Sequence, residues 1–265
     1  MGLFSRNFNK PGPGVRKDEP RKKGATRFFE LLFRDIGDLV KLNILFCLCA
    51  APSVISFFAG IFGFYAPYMV VASLLLAFPI GGAMVAYVYY ITKMMRDDPS
   101  YVWFEFKRKF KENFKQAAPI GIICTAFIYA QILLWDTLIF GEATSELMWF
   151  LIALISLSLF GMVTPYIFMH LAYIDLGTFR ILKNSILMAF GYLPRSFMAS
   201  FLGSILWTLF ILLIPDSLIA FPLMLLLGAS VSILMSLSWV WKPFDTYFKV
   251  EETLIEQEKA KEEAE

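Results

Sequence analysis

Charge is scarce in this 265-residue chain, and histidine is almost missing: 17% of residues are Asp, Glu, Lys or Arg, and His170 stands alone. Soluble globular domains carry about 25% charged and about 45–50% apolar residues. Here the apolar share is 58%, so the composition is not one for water. No phosphate-binding glycine loop, no Gly-x-Ser-x-Gly, no His-Glu-x-x-His and no acidic cluster of metal-ligand type occurs. A single histidine and the lack of paired carboxylates within apolar runs argue against an intramembrane hydrolase or a proton pump. The expectation is a protein that is not an enzyme and uses no cofactor and no metal. Cysteine adds little. Cys47, Cys49 and Cys124 all lie in apolar runs, and an odd number gives no disulfide framework. Cys47 and Cys49 are two apart, so on a helix they point to different faces and read as small packing residues.

What the chain has in abundance is long apolar runs. A bilayer core needs about 20 apolar residues in helical form, because only a helix or a closed barrel satisfies its own backbone there. Six stretches qualify, at about 42–64, 66–91, 117–140, 147–173, 197–215 and 217–241. Their apolar content is continuous rather than alternating, which disfavours a β-barrel. The expected fold is an all-α membrane protein with six transmembrane helices. Residues 1–27, rich in Pro, Gly and Lys, read as a flexible basic arm. They contain neither a signal-peptide apolar run nor a myristoylation pattern, since Arg6 stands where Ser or Thr is required. Residues 28–250 form the membrane domain, and 251–265 a charged tail resembling a frayed helix.

Cations are distributed unevenly between the two sides of these runs. All 24 Lys and Arg lie in the arm and pre-helix through Lys41, between Lys93 and Lys115, between Arg180 and Arg195, or from Lys242 onward. The opposite loops, near Gly63–Pro67, Gly141–Glu146 and Pro215–Asp216, hold none. Short cationic loops resist translocation, so this bias predicts a multi-pass protein of the cell membrane with both termini cytoplasmic.

Each pair of runs is preceded on that side by an amphipathic segment. The first, "RFFELLFRDIGD", sets Phe28, Phe29, Leu32, Phe33 and Ile36 against Arg27, Glu30, Arg34 and Asp38, with i,i+4 pairs Glu30–Arg34 and Arg34–Asp38. The second, "YVWFEFKRKFKENFK", sets Trp103, Phe106, Phe110 and Phe114 against Glu105, Arg108, Lys109 and Glu112. The third, "TFRILKNSILMAFG", sets Phe179, Leu182, Ile186 and Phe190 against Arg180, Lys183 and Asn184. Such aromatic and basic helices lie in the headgroup layer, so three cytoplasmic interfacial helices are expected. Arg27, Arg34, Arg108, Lys109, Arg180 and Lys183 are the candidate contacts to anionic lipid, rather than to nucleic acid. Phe28, Phe104 and Phe179 start these segments about 75 residues apart, and Pro119 and Pro194 share an offset in the last two. Either three parallel helix-plus-hairpin units or an ordinary alternation of loop and hairpin gives this spacing.

Polar residues within apolar runs are the default functional candidates, because burying them there is costly. His170, near the end of the fourth run, lies about 140° from Asp175 on a helix, so the two are no relay pair. A packed histidine bonded to a Tyr hydroxyl or a backbone carbonyl competes with a ligand-binding one. Asn43 and Gln131 are the other candidates, Gln131 with helix–helix bonding as its job. Lys41 and Asp38 can reach water at a helix entrance, as can Asp136 at the outer end of the third run. Small-residue spacings (Gly228, Ser232, Ser236; Ala199, Gly203; Ser200, Ser204) suit close helix approach. Pro79 and Pro165 read as mid-helix breaks, which line substrate sites in some transporters and are inert kinks elsewhere.

The arm "FNKPGPGVRKDEP" with "RFFELLFRDIGDLVKLNILFCLCAAP", the segment "MMRDDPSYVWFEFKRKFKENFKQA" and "LKNSILMAFGYLPRSF" together resemble the YesL-like family of bacterial membrane proteins. That family has no known function and supplies no catalytic residues. Its genes commonly lie beside carbohydrate-uptake systems of Gram-positive bacteria, which implies a role in sugar import. The expected function is an accessory subunit bound to a carbohydrate transporter or sensor. A self-sufficient sugar permease or channel, and a structural or lipid-organising protein, are the alternatives. The sequence leaves the oligomeric state open.

Overall fold

A computed structural model describes residues 24–63, 67–98, 100–140, 146–213 and 220–262. The basic arm up to residue 23 and the cation-free loop residues 64–66, 141–145 and 214–219 lie outside them. The described residues form helices, as the continuous apolar runs require: an all-α membrane protein with four to six membrane-spanning candidates. The helices are α1 (Ala25–Arg34), α2 (Ile36–Phe58), α3 (Pro67–Leu75), α4 (Phe78–Met95), α5 (Val102–Phe140), α6 (Glu146–Tyr173), α7 (Thr178–Gly191), α8 (Leu193–Leu213), α9 (Ala220–Leu223), α10 (Ala229–Phe248) and α11 (Val250–Glu262). Wider π-type turns follow α2 at Ala59–Gly63 and precede α10 at Met224–Gly228.

Four helices are long and apolar enough to cross a bilayer unaided: Ile36–Ile61, Val102–Ile139, Leu147–Tyr173 and Leu225–Phe248. The two further candidates are bent pairs. Tyr68–Leu75 and Phe78–Met95 meet at 42°, and Thr178–Gly191 and Leu193–Thr208 at 98°. Contacts show that both pairs return the chain across the bundle. Gly60, at the far end of α2, lies against Met69 and Val70 of α3, while the turn after α4 is bonded back to α1 through Asp97. Ser196 of α8 lies beside Tyr166, and four residues on Ser200 reaches Ser158, so α8 runs antiparallel to α6.

The centre is α4. From Gly81 to Thr92 it is buried almost without interruption, because small residues (Gly81, Gly82, Ala83, Ala86) alternate with large ones (Tyr87, Tyr89, Tyr90) that fill the space between neighbours. α5 crosses it at backbone contact. A Cβ on Gly81 would stand 1.9 Å from the Ala117 carbonyl oxygen, and one on Gly121 2.3 Å from the Gly81 nitrogen. Only glycine fits either position. α6, by contrast, faces outward over its first half, which suits contact with lipid, and turns inward from Tyr166 to Ala172.

Two expectations are corrected. The second amphipathic segment is no separate interfacial helix: it runs on into the third crossing as the single 39-residue α5. Its Phe106 is buried and Phe110 half-buried in the core. Pro79 marks a break in the second run, as expected, with α3 and α4 meeting at 42°. It falls in the first turn of α4, just after the break at Leu76–Ala77, where a missing N–H costs nothing. Pro165 lies inside α6, which continues unbroken to Tyr173. The third amphipathic segment is the separate helix expected, as α7, and the tail is helical as α11.

Candidate functional site

The polar residues of the apolar runs are drawn into bonds between helices. Asn43 of α2 donates from Nδ2 to the Leu225 carbonyl (2.5 Å) in the π-turn before α10. Its Oδ1 accepts from the Tyr87 hydroxyl of α4 at 2.9 Å. That hydroxyl is 2.7 Å from Ser230 Oγ of α10, and Ser230 donates back to the Leu39 carbonyl of α2 at 2.6 Å. One buried knot therefore ties α2, α4 and α10. Towards the other end, Ser53 donates to the Ser73 carbonyl at 2.7 Å. With its only proton spent there, Ser53 Oγ accepts from the Tyr129 hydroxyl, also at 2.7 Å, joining α2, α3 and α5. Tyr129 stacks on Phe57 with centroids 3.8 Å apart. Gln131 of α5 donates to Ser156 of α6 at 2.8 Å, the helix–helix bond expected of it.

His170 is fully buried and packed. Its Nδ1 is 2.7 Å from the Tyr166 carbonyl, which can only accept, so Nδ1 carries the proton. Ser185 Oγ of α7 lies 3.1 Å from the same nitrogen. The ring meets Phe244 and Phe248 edge to face, each at 5.1 Å. Asp175 is exposed and stands apart. This histidine couples α6, α7 and α10 by packing.

At the end of the bundle where α1, α5 and α11 start, charges pair with one another. Asp97, in a left-handed backbone conformation (φ 62°), binds Arg27 at 2.5 Å and Arg34 at 2.6 Å. Arg27 also binds Glu30 and the Met95 carbonyl, and Arg34 its neighbour Asp35. These bonds replace the expected Glu30–Arg34 and Arg34–Asp38 pairs, because the turn after α4 offers a better-placed carboxylate. Glu105 is buried between Lys93 (2.9 Å) and Arg108 (2.5 Å). Lys109 pairs with Glu112 at 2.9 Å and lies over the Tyr89 ring. Asp38 binds Lys41 and accepts from Tyr90. Asp245 accepts from the Glu251 amide in the first turn of α11. Of the six expected lipid contacts, Arg180 and Lys183 alone are exposed without an ion pair to described residues.

Two hollows remain. One, of about 220 Å³, lies among α4, α6, α8 and α10 and is lined by Pro165, Thr164, Ser200, Ser232, Trp207 and a larger number of apolar side chains. The other, of about 330 Å³, opens at the charged end beside Arg34, Asp38, Tyr90 and Asp97. Among the described residues no three His, Cys, Asp or Glu side chains converge as metal ligands. Sequence reasoning missed Tyr87, Ser230, Glu105, Asp97 and the Gly81–Gly121 crossing. The run "YVYY" and the glycines at 81, 82 and 121 were the available signals.

The helices and their bonding thus define a polytopic α-helical membrane protein. Within it, residues 39–136, from α2 to the outer part of α5, match the family described as "Protein of unknown function, DUF624". No curated protein matches the chain, and no solved structure does.

Proposed function

We propose that this protein is a non-enzymatic accessory subunit of a carbohydrate-uptake system in a bacterial cell membrane, with both termini cytoplasmic. One observation carries the reading: polar side chains inside the bundle are spent on neighbouring helices rather than arrayed along a passage. Asn43, Ser53, Tyr87, Tyr129 and Ser230 are all engaged in this way. A sugar crossing unaided needs a continuous series of partners for its hydroxyls, since a buried unpaired polar group costs about 1–3 kcal/mol. Side chains spent on joining the helices suit a bundle whose task is to hold another membrane protein. The carbohydrate connection rests on the resemblance to the YesL-like family, two of whose quoted segments overlap the DUF624 match. The cation bias supports the orientation.

Purification of tagged protein from its native cell in mild detergent, followed by mass spectrometry, tests this. A stoichiometric transporter or sensor is the expected companion. Recovery of the protein alone counts against the reading. The hollow beside Pro165 favours the second reading, a permease. Sugar flux into liposomes containing only this protein would establish that instead.

A further inference from the structure

The three segments expected at the headgroup layer have different fates. In α1 and at the start of α5, Arg27, Arg34, Arg108 and Lys109 are bonded to carboxylates of the protein itself. α7 differs in both charge and shape. It contains no acidic residue, and Arg180 and Lys183 project from it, with Arg195 also exposed just beyond its end. Around these cations stand Phe179 (81% exposed), Leu187 (59%), Phe190 (51%) and Ile186 (46%).

The opposite side of α7 is fixed to the bundle. Ile181, Ser185, Met188 and Ala189 are buried, Ser185 meets His170, and the Leu176 carbonyl just before α7 accepts from Gln116 of α5 at 2.6 Å. A 98° bend separates α7 from α8. Where α8 crosses a bilayer along its normal, α7 therefore runs along the surface. A helix held rigidly in that plane, with aromatic side chains beside unpaired cations, matches the chemistry of a lipid boundary. Its acyl region takes Phe and Leu while its phosphates take Arg and Lys.

We propose that the exposed face of α7 is a docking surface for anionic phospholipid. Charge complementarity selects this occupant: the face has cations and apolar groups and no carboxylate to repel a phosphate. The inference rests on the membrane-spanning fold and is independent of the accessory-subunit reading.

Full-length protein reconstituted in mixed phosphatidylglycerol and phosphatidylcholine provides the test, with retained lipid measured by native mass spectrometry. The wild type is expected to retain phosphatidylglycerol preferentially, and R180Q/K183Q to reduce that preference about 25-fold at low salt, since each cation at the surface contributes about fivefold. R108Q/K109Q should leave lipid preference unchanged and lower thermal stability. Equal retention by the wild type and R180Q/K183Q would overturn the proposal. So would an equal loss from both double variants. Cross-linking from a photoreactive group at position 187 provides an independent readout: a lipid adduct supports the proposal, and a polypeptide adduct makes the face a protein interface and overturns it.

Discussion

Tyr87 touches two helices besides its own through a single hydroxyl, bonding Asn43 of α2 and approaching Ser230 of α10. Removing that oxygen in Tyr87→Phe leaves Asn43 Oδ1 without its donor in a site where water does not compete. The expected loss is about 1–2 kcal/mol of stability, read as a lower melting temperature in detergent. Phe46, stacked on the Tyr87 ring at 5.5 Å, should keep the aromatic packing intact, so a larger loss would mean that the knot acts cooperatively. Asn43 and Gln131 stand out in the sequence because amides interrupt apolar runs. Their partners do not. Tyr, Ser and Thr are common enough in membrane helices that Tyr87, Ser156 and Ser230 look ordinary until the helices are brought together. For His170 a packed ring bonded to a Tyr hydroxyl or a backbone carbonyl was legible beside a ligand-binding one, but the choice of the Tyr166 carbonyl was not. Nor was its link to Ser185, since that depends on how α7 folds back on α6.

At the scale of elements, α4 and α5 cross where neither can carry a side chain. Gly81→Ala or Gly121→Ala drives a methyl group into backbone, not into a flexible side chain that could swing away. Overpacking of this kind costs about 1–3 kcal/mol. Each variant should melt well below wild type, while Gly191→Ala, where an added Cβ meets nothing within 4 Å, should be nearly neutral. A second element-level device is the clasp of α1 on Asp97. Burial raises the Asp97 carboxyl, but the Arg34 and Arg27 guanidiniums outweigh it and hold the group below its usual 3.8. A depressed carboxylate stabilises above its unfolded-state pKa and loses that contribution as pH falls through the folded-state value. α1 should therefore stay seated from pH 8 down to about 4 and loosen only below that. A spin label at Ala25→Cys, with the native cysteines replaced, should be restrained at pH 6 and gain mobility only as acid takes the pH below the ordinary carboxylate range. In an Asp97→Asn background it should be mobile already at pH 6. The amphipathic pattern of α1, α5 and α7 was legible, but what each apolar face meets was not. In α5 the pattern packs partly against α4, and in α7 much of it stays exposed, a difference that depends on tertiary placement alone.

For the whole molecule, the number of crossings decides where each connection lies, and two topologies compete on length and composition alone. If both bent pairs were re-entrant, four helices would cross, and the turns near Tyr101 and Gly177 would sit on the side opposite α1. If both pairs cross, those turns share a side with α1 and α11, and Leu147 lies opposite. The sequence favoured six crossings from run length and cation bias and marked a break in the second pass at Pro79, but neither the 42° bend there nor the right-angled cap that begins the fifth was legible in it. The geometry agrees with six. Asp97 could not reach Arg27 and Arg34 unless α3 and α4 together return the chain to the end where α2 begins. In cysteine-replaced protein in intact cells, a membrane-impermeant maleimide should label Leu147→Cys and spare Tyr101→Cys, Gly177→Cys and Thr253→Cys until the membrane is opened. The reverse pattern at 101, 147 and 177, with 253 still protected, would establish four crossings. The bonds of Asp97 would then join residues on opposite sides of a bilayer, which no folded state permits, so this labelling tests the helix arrangement itself along with its orientation.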